Sequence, residues 1–409
     1  RREQARITVL SAMSGTTDSL VRISRAAASG DRNAIEEQLA MLTDKYTRCI
    51  EELLRERKQQ ALARMNATFG LIRDEAAAFA EYESERKIIA QGELLTSAIF
   101  TAYLQETGLK AECLYSPDFM VKDPGEKVDT ERIGRALARV AGDDSTFFVA
   151  QGFICSDSQG RIDNLGRGGS DYSAALMGAA VEAAEVQIWT DIDGMHNNDP
   201  RFVDNTRPIR TMSFDEAAEL AYFGAKILHP ATIQPCKDHG IAVLLKNTMD
   251  PEAPGTTISN RDDDTKSFHA VAAKDGITVI RIHSARMLMA YGFLRKVFEI
   301  FEQYRTPIDM ITTSEVAVSL TVDNDSHIDE IVRDLSALGS IEIERGNSIV
   351  CVVGRMEHGD AGLAARVFEC VRGVPIKMIS YGASHRSLAI LIDTEHKKRT
   401  LQCLNDGLF

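Results

Sequence analysis

Residues 165–175 read Leu-Gly-Arg-Gly-Gly-Ser-Asp-Tyr-Ser-Ala-Ala, a glycine turn that carries a cation and an anion and leads into an alanine-rich helical stretch. Three glycines within four positions free the backbone to approach a ligand, and the N–H groups that open the helix add positive potential. Arg167 is suited to pair with a carboxylate in a bidentate manner, whereas Asp171 accepts from an ammonium group. The alternative interpretation is a strand-to-helix turn capped by Ser170 or Asp171. The stretch therefore predicts either a site for a charged small molecule or a plain helix cap.

Composition limits the classes of function. The chain has 409 residues, enough for two or three domains, and its 44% hydrophobic and 26% charged content is typical of a globular protein. A formal net charge of -13 argues against nucleic-acid binding, which needs a basic face. The seven cysteines are widely spaced and form no C-x-x-C pair, so neither a zinc site nor a disulfide framework is indicated. No apolar run approaches the roughly 20 residues that span a bilayer, and no signal segment is evident. We expect no membrane partner and a cytoplasmic location.

The apolar pattern predicts an α/β architecture. Between residues 33 and 80, apolar residues recur at helical spacing, which predicts a helical hairpin or small bundle. Short apolar runs then alternate with helical ones, a pattern typical of a parallel or mixed sheet covered by helices on both faces. Residues 251–266 contain two prolines and a charged run, and they indicate either a domain boundary or a solvated loop. The clearest predicted strands are 7–10, 147–150, 186–189 and 241–245.

The C-terminal part of the chain contains an internal repeat. Gly292-Phe293-Leu294 and Val297-Phe298-Glu299 are echoed by Gly362-Leu363-Ala364 and Val367-Phe368-Glu369, at an offset of 70 residues. Residues 307–311, Pro-Ile-Asp-Met-Ile, are echoed by 375–379, Pro-Ile-Lys-Met-Ile, at an offset of 68. Each copy predicts a strand, a glycine turn, a helix and further strands, so we expect two βαββαβ modules.

Eight segments, in order along nearly the whole chain, together resemble the aspartate kinases of the amino-acid kinase superfamily, which carry tandem C-terminal ACT domains. The resemblance implies an α/β amino-acid kinase fold, with a sheet sandwiched by helices, over residues 1–260, and ACT modules over 270–340 and 341–409. It also implies transfer of the γ-phosphoryl group of ATP to the side-chain carboxylate of L-aspartate, the entry step to lysine, threonine and methionine synthesis. The eight segments are SAMSGTTDSL (11–20), GELLTS (92–97), LGRGGSDYSAAL (165–176), IWTDIDGMHNNDPR (188–201), ELAYFGAKILHP (219–230), NTMDPEAPGTTI (247–258), RMLMAYGFL (286–294) and DMITTSEVAVSLTVD (309–323).

The resemblance assigns the substrate residues. Arg167 is expected to bind the α-carboxylate of aspartate, and Glu93 and Asp171 its ammonium group. Ser14 and Thr17, in a turn after the first strand, together with Gly169 and Ser170, complete the expected substrate site. For Ser14 and Thr17 the alternative is a turn with a helix cap, and Glu93 taken alone would be an ordinary surface carboxylate.

Nucleotide binding is expected where a strand ends in a turn near Gly194, a frequent ligand position in open α/β sheets. Arg201 and Lys226 could meet phosphates, although a structural salt bridge is the alternative for Arg201. Lys226 and Asp171 are the residues expected to act in catalysis. No P-loop is present, so Mg²⁺ is expected to come bound to ATP, with no dedicated metal site in the protein. The nucleotide candidates are Thr190, Asp191, Asp193, Arg201 and Lys226.

The repeat modules carry no catalytic constellation, so we expect them to bind a regulatory amino acid and to mediate a homodimer, as the resemblance implies. Lysine is the leading effector, with Asp309 pairing its cationic group; threonine or loss of the response are alternatives, because Pro307 stands where lysine-sensing relatives often have a small hydroxyl residue. For Asp309 a solvated strand end is the alternative. The expected effector residues are Met287, Gly292, Asp309, Thr313 and Ser314.

One departure from the family concerns the start of the chain. Aspartate kinases resemble one another in a Lys-Phe-Gly-Gly strand whose lysine reaches the transferred phosphate, and this sequence has none; its first lysine is Lys45. We expect truncation, and the alternative is an amino-acid-sensing pseudokinase. A related kinase acting on another acidic substrate is a second alternative. Because the chain ends soon after the second module, we expect a monofunctional phosphotransferase with a carboxyl acceptor.

Overall fold

The structure is a computed structural model that describes residues 7–123, 125, 128–141, 143, 145–224, 228, 230–261, 267–287, 291–356 and 362–409. The first half contains β1 Ile7–Leu10, α1 Thr16–Ser29, α2 Arg32–Leu53, α3 Lys58–Ala77, α4 Glu81–Glu106, β2 Ala111–Cys113, β3 Val121–Lys122, α5 Thr130–Ala141, β4 Phe147–Gln151, β5 Ile154–Asp157, β6 Ile162–Asn164, α6 Gly169–Ala180 and β7 Glu185–Thr190. The second half contains β8 Thr211–Ser213, α7 Phe214–Tyr222, α8 Gln234–Asp238, β9 Ala242–Asn247, β10 Thr256–Ser259, β11 Phe268–His283, α9 Phe293–Gln303, β12 Ile311–Thr313, β13 Ala317–Val322, α10 Ile328–Leu335, β14 Ser340–Gly354, α11 Gly362–Cys370, β15 Met378–Tyr381, β16 Ser387–Asp393 and α12 Lys397–Leu408.

The chain divides into two compact units, Arg1–Val186 with Ala231–Val243, and Gln187–Pro230 with Leu244–Phe409. The first unit is built on a parallel sheet in the order β1-β4-β2. Alternate residues of β4 point to opposite faces, as the two-residue period of a strand requires. Phe148 and Ala150 pack among α5 and α6, whereas Val149 packs against Leu104 of α4. Helices therefore cover both faces of the sheet, and this confirms the predicted α/β class.

Helices α2 and α3 occupy the segment for which the sequence predicts a helical hairpin. Together with α1 and α4 they enclose a second apolar core, in which Ile23, Tyr46, Ile50 and Ile72 are almost fully buried. Asp31 caps α2 by accepting from the Ala34 N–H at 3.1 Å. None of the described helices is long and apolar enough to cross a membrane.

The second unit contains most of a four-stranded sheet in the order β7-β9-β10-β8, and a six-stranded sheet in the order β12-β13-β11-β14-β16-β15. Strand β10 lies inside residues 251–266, where the sequence indicates a boundary or a solvated loop. Its Thr256 and Ile258 are fully buried, and it pairs in parallel with β8. The two prolines at 251 and 254 precede the strand, so they leave its hydrogen bonds intact.

The six-stranded sheet holds two apolar cores that share its long central strands. Ile280 and Ile282 of β11 pack with α9 and α10, whereas Phe268 and Val271 of the same strand pack with α11 and α12. Strand β14 is divided in the same way, because it pairs with β11 along its whole length. Each module therefore takes half a strand from the other. The expected bounds of 270–340 and 341–409 follow the chain order and leave this exchange out.

Candidate active site

The candidate substrate site of the first unit begins where two neighbouring strands end. β1 and β4 are parallel and adjacent, and the Gly152 N–H donates to the Leu10 carbonyl at 2.9 Å just beyond their carboxyl ends. The chain leaves β1 through the turn at residues 11–15 and leaves β4 through Gly152 and Phe153. Ligands of α/β sheets bind at such carboxyl edges.

Glu93 on α4 reaches the turn that follows β1. Its Oε1 accepts from the Ala12 N–H at 3.2 Å, and the neighbouring Gly92 makes the approach possible, because a Cβ there would lie 2.8 Å from the Ala12 Cβ. The Glu93 residue is only 3% exposed, and its Oε2 has no hydrogen-bond partner within the described residues. Burial raises the pKa of Glu93 to about 7. A buried carboxylate oxygen without a donor suits an ammonium group of a ligand.

The glycine-rich turn before α6 lies against the end of β4. Gly166 and Gly168 have φ of 73° and 69°, left-handed values that favour glycine, and Gly168 occupies the cap position of α6. Gly169 packs so closely on Phe153 that a Cβ would lie 2.8 Å from its ring. This approach sets Ser170 against Gly152, at the same edge of the sheet as the turn that Glu93 contacts.

Asp171 and Arg167 supply the two opposite charges of this edge. Asp171 lies in the first turn of α6, and burial raises its pKa to about 6. Arg167 is exposed, and no hydrogen bond or ion pair engages its guanidinium within the part of the chain that the structure describes. An unpaired Arg beside a half-buried carboxylate is complementary to a zwitterion.

Ser14 and Thr17 lie on the turn after β1 and in the first turn of α1, where Ser14 is exposed and Thr17 half-buried. The structure thus brings Ser14, Thr17, Glu93, Gly169 and Ser170 to the same edge of one sheet, at the ends of β1 and β4. The sequence predicted these members without predicting how they meet.

Sequence reasoning missed the contribution of the helical hairpin to this edge. Lys45 of α2 donates to the Ser14 carbonyl and, at 3.3 Å, to the Thr16 hydroxyl. The Tyr46 hydroxyl lies 3.3 Å from both Thr16 Oγ1 and Thr96 Oγ1. The turn after β1 is therefore held from α2 as well as from α4. No local motif marks Lys45, because its partners are about 30 residues away.

The second unit contains the nucleotide candidates. Thr190 ends β7; its carbonyl accepts from the Thr248 N–H at 2.8 Å, and its hydroxyl lies 3.1 Å from an oxygen of the exposed Asp191. Asp193 is engaged with His196 at 2.8 Å. Thr190 and Asp191 thus present hard oxygen atoms at the carboxyl end of a strand.

Arg201 is held by the chain's own Asp199 in a bidentate ion pair, with a shortest distance of 2.6 Å. Although burial acts in the opposite direction, the hydrogen bonds from Arg201 keep the pKa of Asp199 below its usual value. This is the structural salt bridge that the sequence left open as the alternative. Lys226 lies outside the described residues, as do its neighbours Ala225 and Ile227.

The effector candidates belong to the first repeat module of the second unit. Gly292 has φ of 79° and caps α9, and Ser314 closes the turn between β12 and β13 by accepting from the Ala317 N–H at 3.1 Å. Met287 follows β11, close to the end where Ser284 N–H bonds the Val316 carbonyl. Thr313 ends β12 on this side, whereas Asp309 precedes β12 at its other end and is not a solvated strand end, because its side chain is 2% exposed.

Comparison with known proteins agrees with this geometry. Residues 1–247 match the model of the amino acid kinase family, and residues 350–408 match an ACT domain. The lysine-sensitive aspartokinase 3 of Escherichia coli is 34% identical over 99% of this chain and 92% of its own length. The chloroplastic aspartokinase 1 of Arabidopsis thaliana is 33% identical over the whole of this chain and 75% of its own length.

A solved structure of E. coli aspartokinase III in complex with aspartate and ADP has a TM-score of 0.85 to this chain, at 32% identity over 99% of this chain and 93% of that one. The same enzyme in complex with lysine and aspartate has a TM-score of 0.82. The fold and the carboxyl-edge site define a member of the amino acid kinase family that carries ACT modules. Within that family, the chain belongs to the aspartokinases.

Proposed function

We propose that this chain transfers the γ-phosphoryl group of ATP to the side-chain carboxylate of L-aspartate, giving 4-phospho-L-aspartate. The observation that carries the proposal is the buried Glu93, whose free oxygen lies at the edge where the aspartokinase motifs meet. The E. coli relative solved with aspartate and ADP supports the choice of substrates. As the sequence predicts, we assign the reaction to the entry step of lysine, threonine and methionine synthesis, in the cytoplasm.

The substrate roles follow from charge and burial. Arg167 binds the α-carboxylate with two parallel hydrogen bonds, and Glu93 and Asp171 bind the ammonium group. Ser14, Thr17, Gly169 and Ser170 border the substrate. The side-chain carboxylate of aspartate is ionised at neutral pH, so it attacks without a general base. The protein therefore works through positioning and charge neutralisation, which supply most of the rate in phosphoryl transfer.

For the nucleotide, we assign Thr190, Asp191 and Asp193 to the nucleoside and Arg201 and Lys226 to the phosphates. Arg201 must then exchange Asp199 for a phosphate when ATP binds. Within the described residues, no group of three or more His, Cys, Asp or Glu side chains is arranged to hold a metal ion. The oxygen donors of Thr190 and Asp191 fit Mg²⁺, which enters with ATP and neutralises phosphate charge.

The ACT modules are assigned to regulation by an amino acid, with lysine as the effector. The E. coli relative is lysine-sensitive and was solved with lysine, which supports this choice over threonine. We further propose a homodimer through the ACT modules. Its support is the set of half-exposed apolar side chains on both edge strands of the six-stranded sheet, Ile311 on β12 and Ile379 and Tyr381 on β15.

The test is a coupled assay of ADP release with aspartate and Mg-ATP, run on wild type, Arg167→Lys and the control Arg161→Lys. Arg161 is an exposed arginine whose pair with Asp157 lies four residues away. Because an ammonium cannot reproduce the bidentate fork, Arg167→Lys should raise the KM for aspartate at least about tenfold and leave the KM for ATP unchanged. Equal effects on both substrates would contradict the assigned role. Lysine binding without any ADP release, with glutamate or aspartate, would favour the sensor instead.

A further inference from the structure

The carboxylate predicted to bind the effector is already paired with a lysine of the chain itself. The Lys274 ammonium, at the middle of β11, lies 2.7 Å from Asp309 Oδ1 and 2.8 Å from Asp323 Oδ2. The hydroxyl of Tyr222, the last residue of α7, donates to the same Asp309 oxygen at 2.9 Å. The Lys274 ammonium also lies 4.6 Å from the centre of the Tyr222 ring. Two carboxylates and an aromatic face together form a site for an alkylammonium group.

Asp309 is closed to ligands in this arrangement. Its side chain is 2% exposed, so an effector reaches it only if a covering group moves. Its Oδ2 is buried without a hydrogen-bond partner among the described residues, which leaves an acceptor for one more donor. Burial raises the pKa of Asp309, and the hydrogen bond from Lys274 opposes that rise. Of the covering groups, the long and flexible Lys274 side chain is the one that carries the same ammonium as a lysine effector.

The second repeat module shows what a cluster without a ligand role looks like. At the repeat offsets, Lys274, Asp309 and Asp323 correspond to Glu344, Lys377 and Asp393. Lys377 donates to Glu344 and Asp393, so the same three positions are joined with two of the charges exchanged. Arg281 adds a further positive charge by pairing with Glu344 at 2.7 Å. The second cluster is thereby neutral, whereas Lys274 with its two aspartates carries one net negative charge.

We propose that the Lys274 side chain is an internal occupant of the effector's ammonium site, and that a cationic amino acid binds the first module by displacing it from Asp309. The inference rests on the proposed effector role of the ACT modules and names what that role does not, the residue that sets the affinity. Lysine supplies a free alkylammonium of the same length as the group it replaces.

The same displacement reaches the kinase part of the second unit through α7. Removing Lys274 from Asp309 disturbs the carboxylate to which Tyr222 is bonded, and Tyr222 is two residues from Gly224. Gly224, with φ of 122°, lies so close to β11 that a Cβ would meet the Ala273 carbonyl at 2.1 Å. At its other end, α7 is fixed to β11 by Glu216, whose Oε1 lies 2.6 Å from His269 Nδ1. Effector occupancy therefore acts on the segment that leads to Lys226.

The test measures binding of L-lysine to the full chain by isothermal titration calorimetry, without nucleotide, for wild type, Lys274→Met, Lys274→Gln and Lys274→Arg. Lysine should bind Lys274→Met and Lys274→Gln about fivefold more tightly than wild type, the change that one ordinary net hydrogen bond represents. Lys274→Arg keeps a cation on Asp309 and should not tighten binding. Lys377→Met is the matched control, because it opens the equivalent cluster of the second module and should leave the affinity unchanged.

Unchanged or weaker binding by both neutral variants, with circular dichroism showing native structure, would overturn the proposal, because it would make Lys274 a support of the site. Absence of lysine binding by wild type and variants alike would overturn it as well. Neither result depends on turnover, so ADP release from aspartate and ATP still tests the proposed function separately. Tyr222→Phe tests the transmission: the ratio of lysine dissociation constants measured with and without AMP-PNP should move towards one. A ratio unchanged from wild type would refute the role of Tyr222.

Discussion

Substitution of Glu93 by Gln should make the ligand-free chain more stable and the enzyme worse. The residue is 3% exposed, and burial raises its pKa from an ordinary 4.5 to about 7. Between those values the folded chain binds more protons than the unfolded chain, so the contribution of Glu93 to stability falls as the pH rises through this window. The displacement corresponds to about 3 kcal/mol of destabilisation at pH 8. Glutamine keeps the acceptor for the Ala12 N–H and carries no charge, so it removes this cost.

The same substitution removes one buried charge that the substrate's ammonium needs. Loss of one partner of a buried charge pair costs about 3 kcal/mol, which corresponds to a KM for aspartate about 100-fold higher, with the KM for ATP unchanged. Urea unfolding at pH 8 and pH 5 measures the first effect and steady-state kinetics the second. The gain in stability should be smaller at pH 5, where Glu93 is already mostly protonated.

Glu83→Gln is the matched control, since Glu83 lies on the same helix in an exposed pair with Lys87. It should change neither quantity. A Glu93→Gln variant with wild-type stability at pH 8 would refute the burial argument, and one with a wild-type KM for aspartate would refute the ammonium-binding role.

Three further predictions test the same edge of the sheet. Since the pKa values of Asp171 and Glu93 are raised to about 6 and about 7, kcat/KM for aspartate should rise as the pH increases from about 5.5 to 8, and a flat profile would contradict the need for both carboxylates. Gly92→Ala should raise the KM for aspartate, because its Cβ would lie 2.8 Å from that of Ala12; Gly70→Ala, on α3 with no atom within 4 Å, should instead stabilise the chain by about 0.5–1 kcal/mol in urea unfolding. Lys45→Met should raise the KM for aspartate about fivefold by releasing the turn after β1, and unchanged kinetics would show that the Lys45 hydrogen bonds do not position that turn.

Much of this protein could be read from local patterns. The helical hairpin, the strands 147–150 and 186–189 and the glycine turn before α6 are each set by periodicity or by glycine content within a short window, and each is found in the structure. The internal repeat predicted two βαββαβ modules, and an antiparallel six-stranded sheet with two cores is found. Charge type alone made Arg167, Asp171 and Glu93 candidates, because a zwitterion needs one cation and carboxylates.

Tertiary structure decided what those residues can do. Burial of Glu93 raises its pKa, and that burial comes from packing of α4 on a turn about 80 residues earlier in the sequence. Lys45 joins the site across some 30 residues, and Asp309 and Arg201 are both paired with charges of the chain itself, at Lys274 and Asp199. Local sequence fixes backbone conformation and charge type, because both depend on near neighbours. Desolvation and pairing depend on which distant groups fold against each residue, so only the assembled chain determines which charges are free for a ligand.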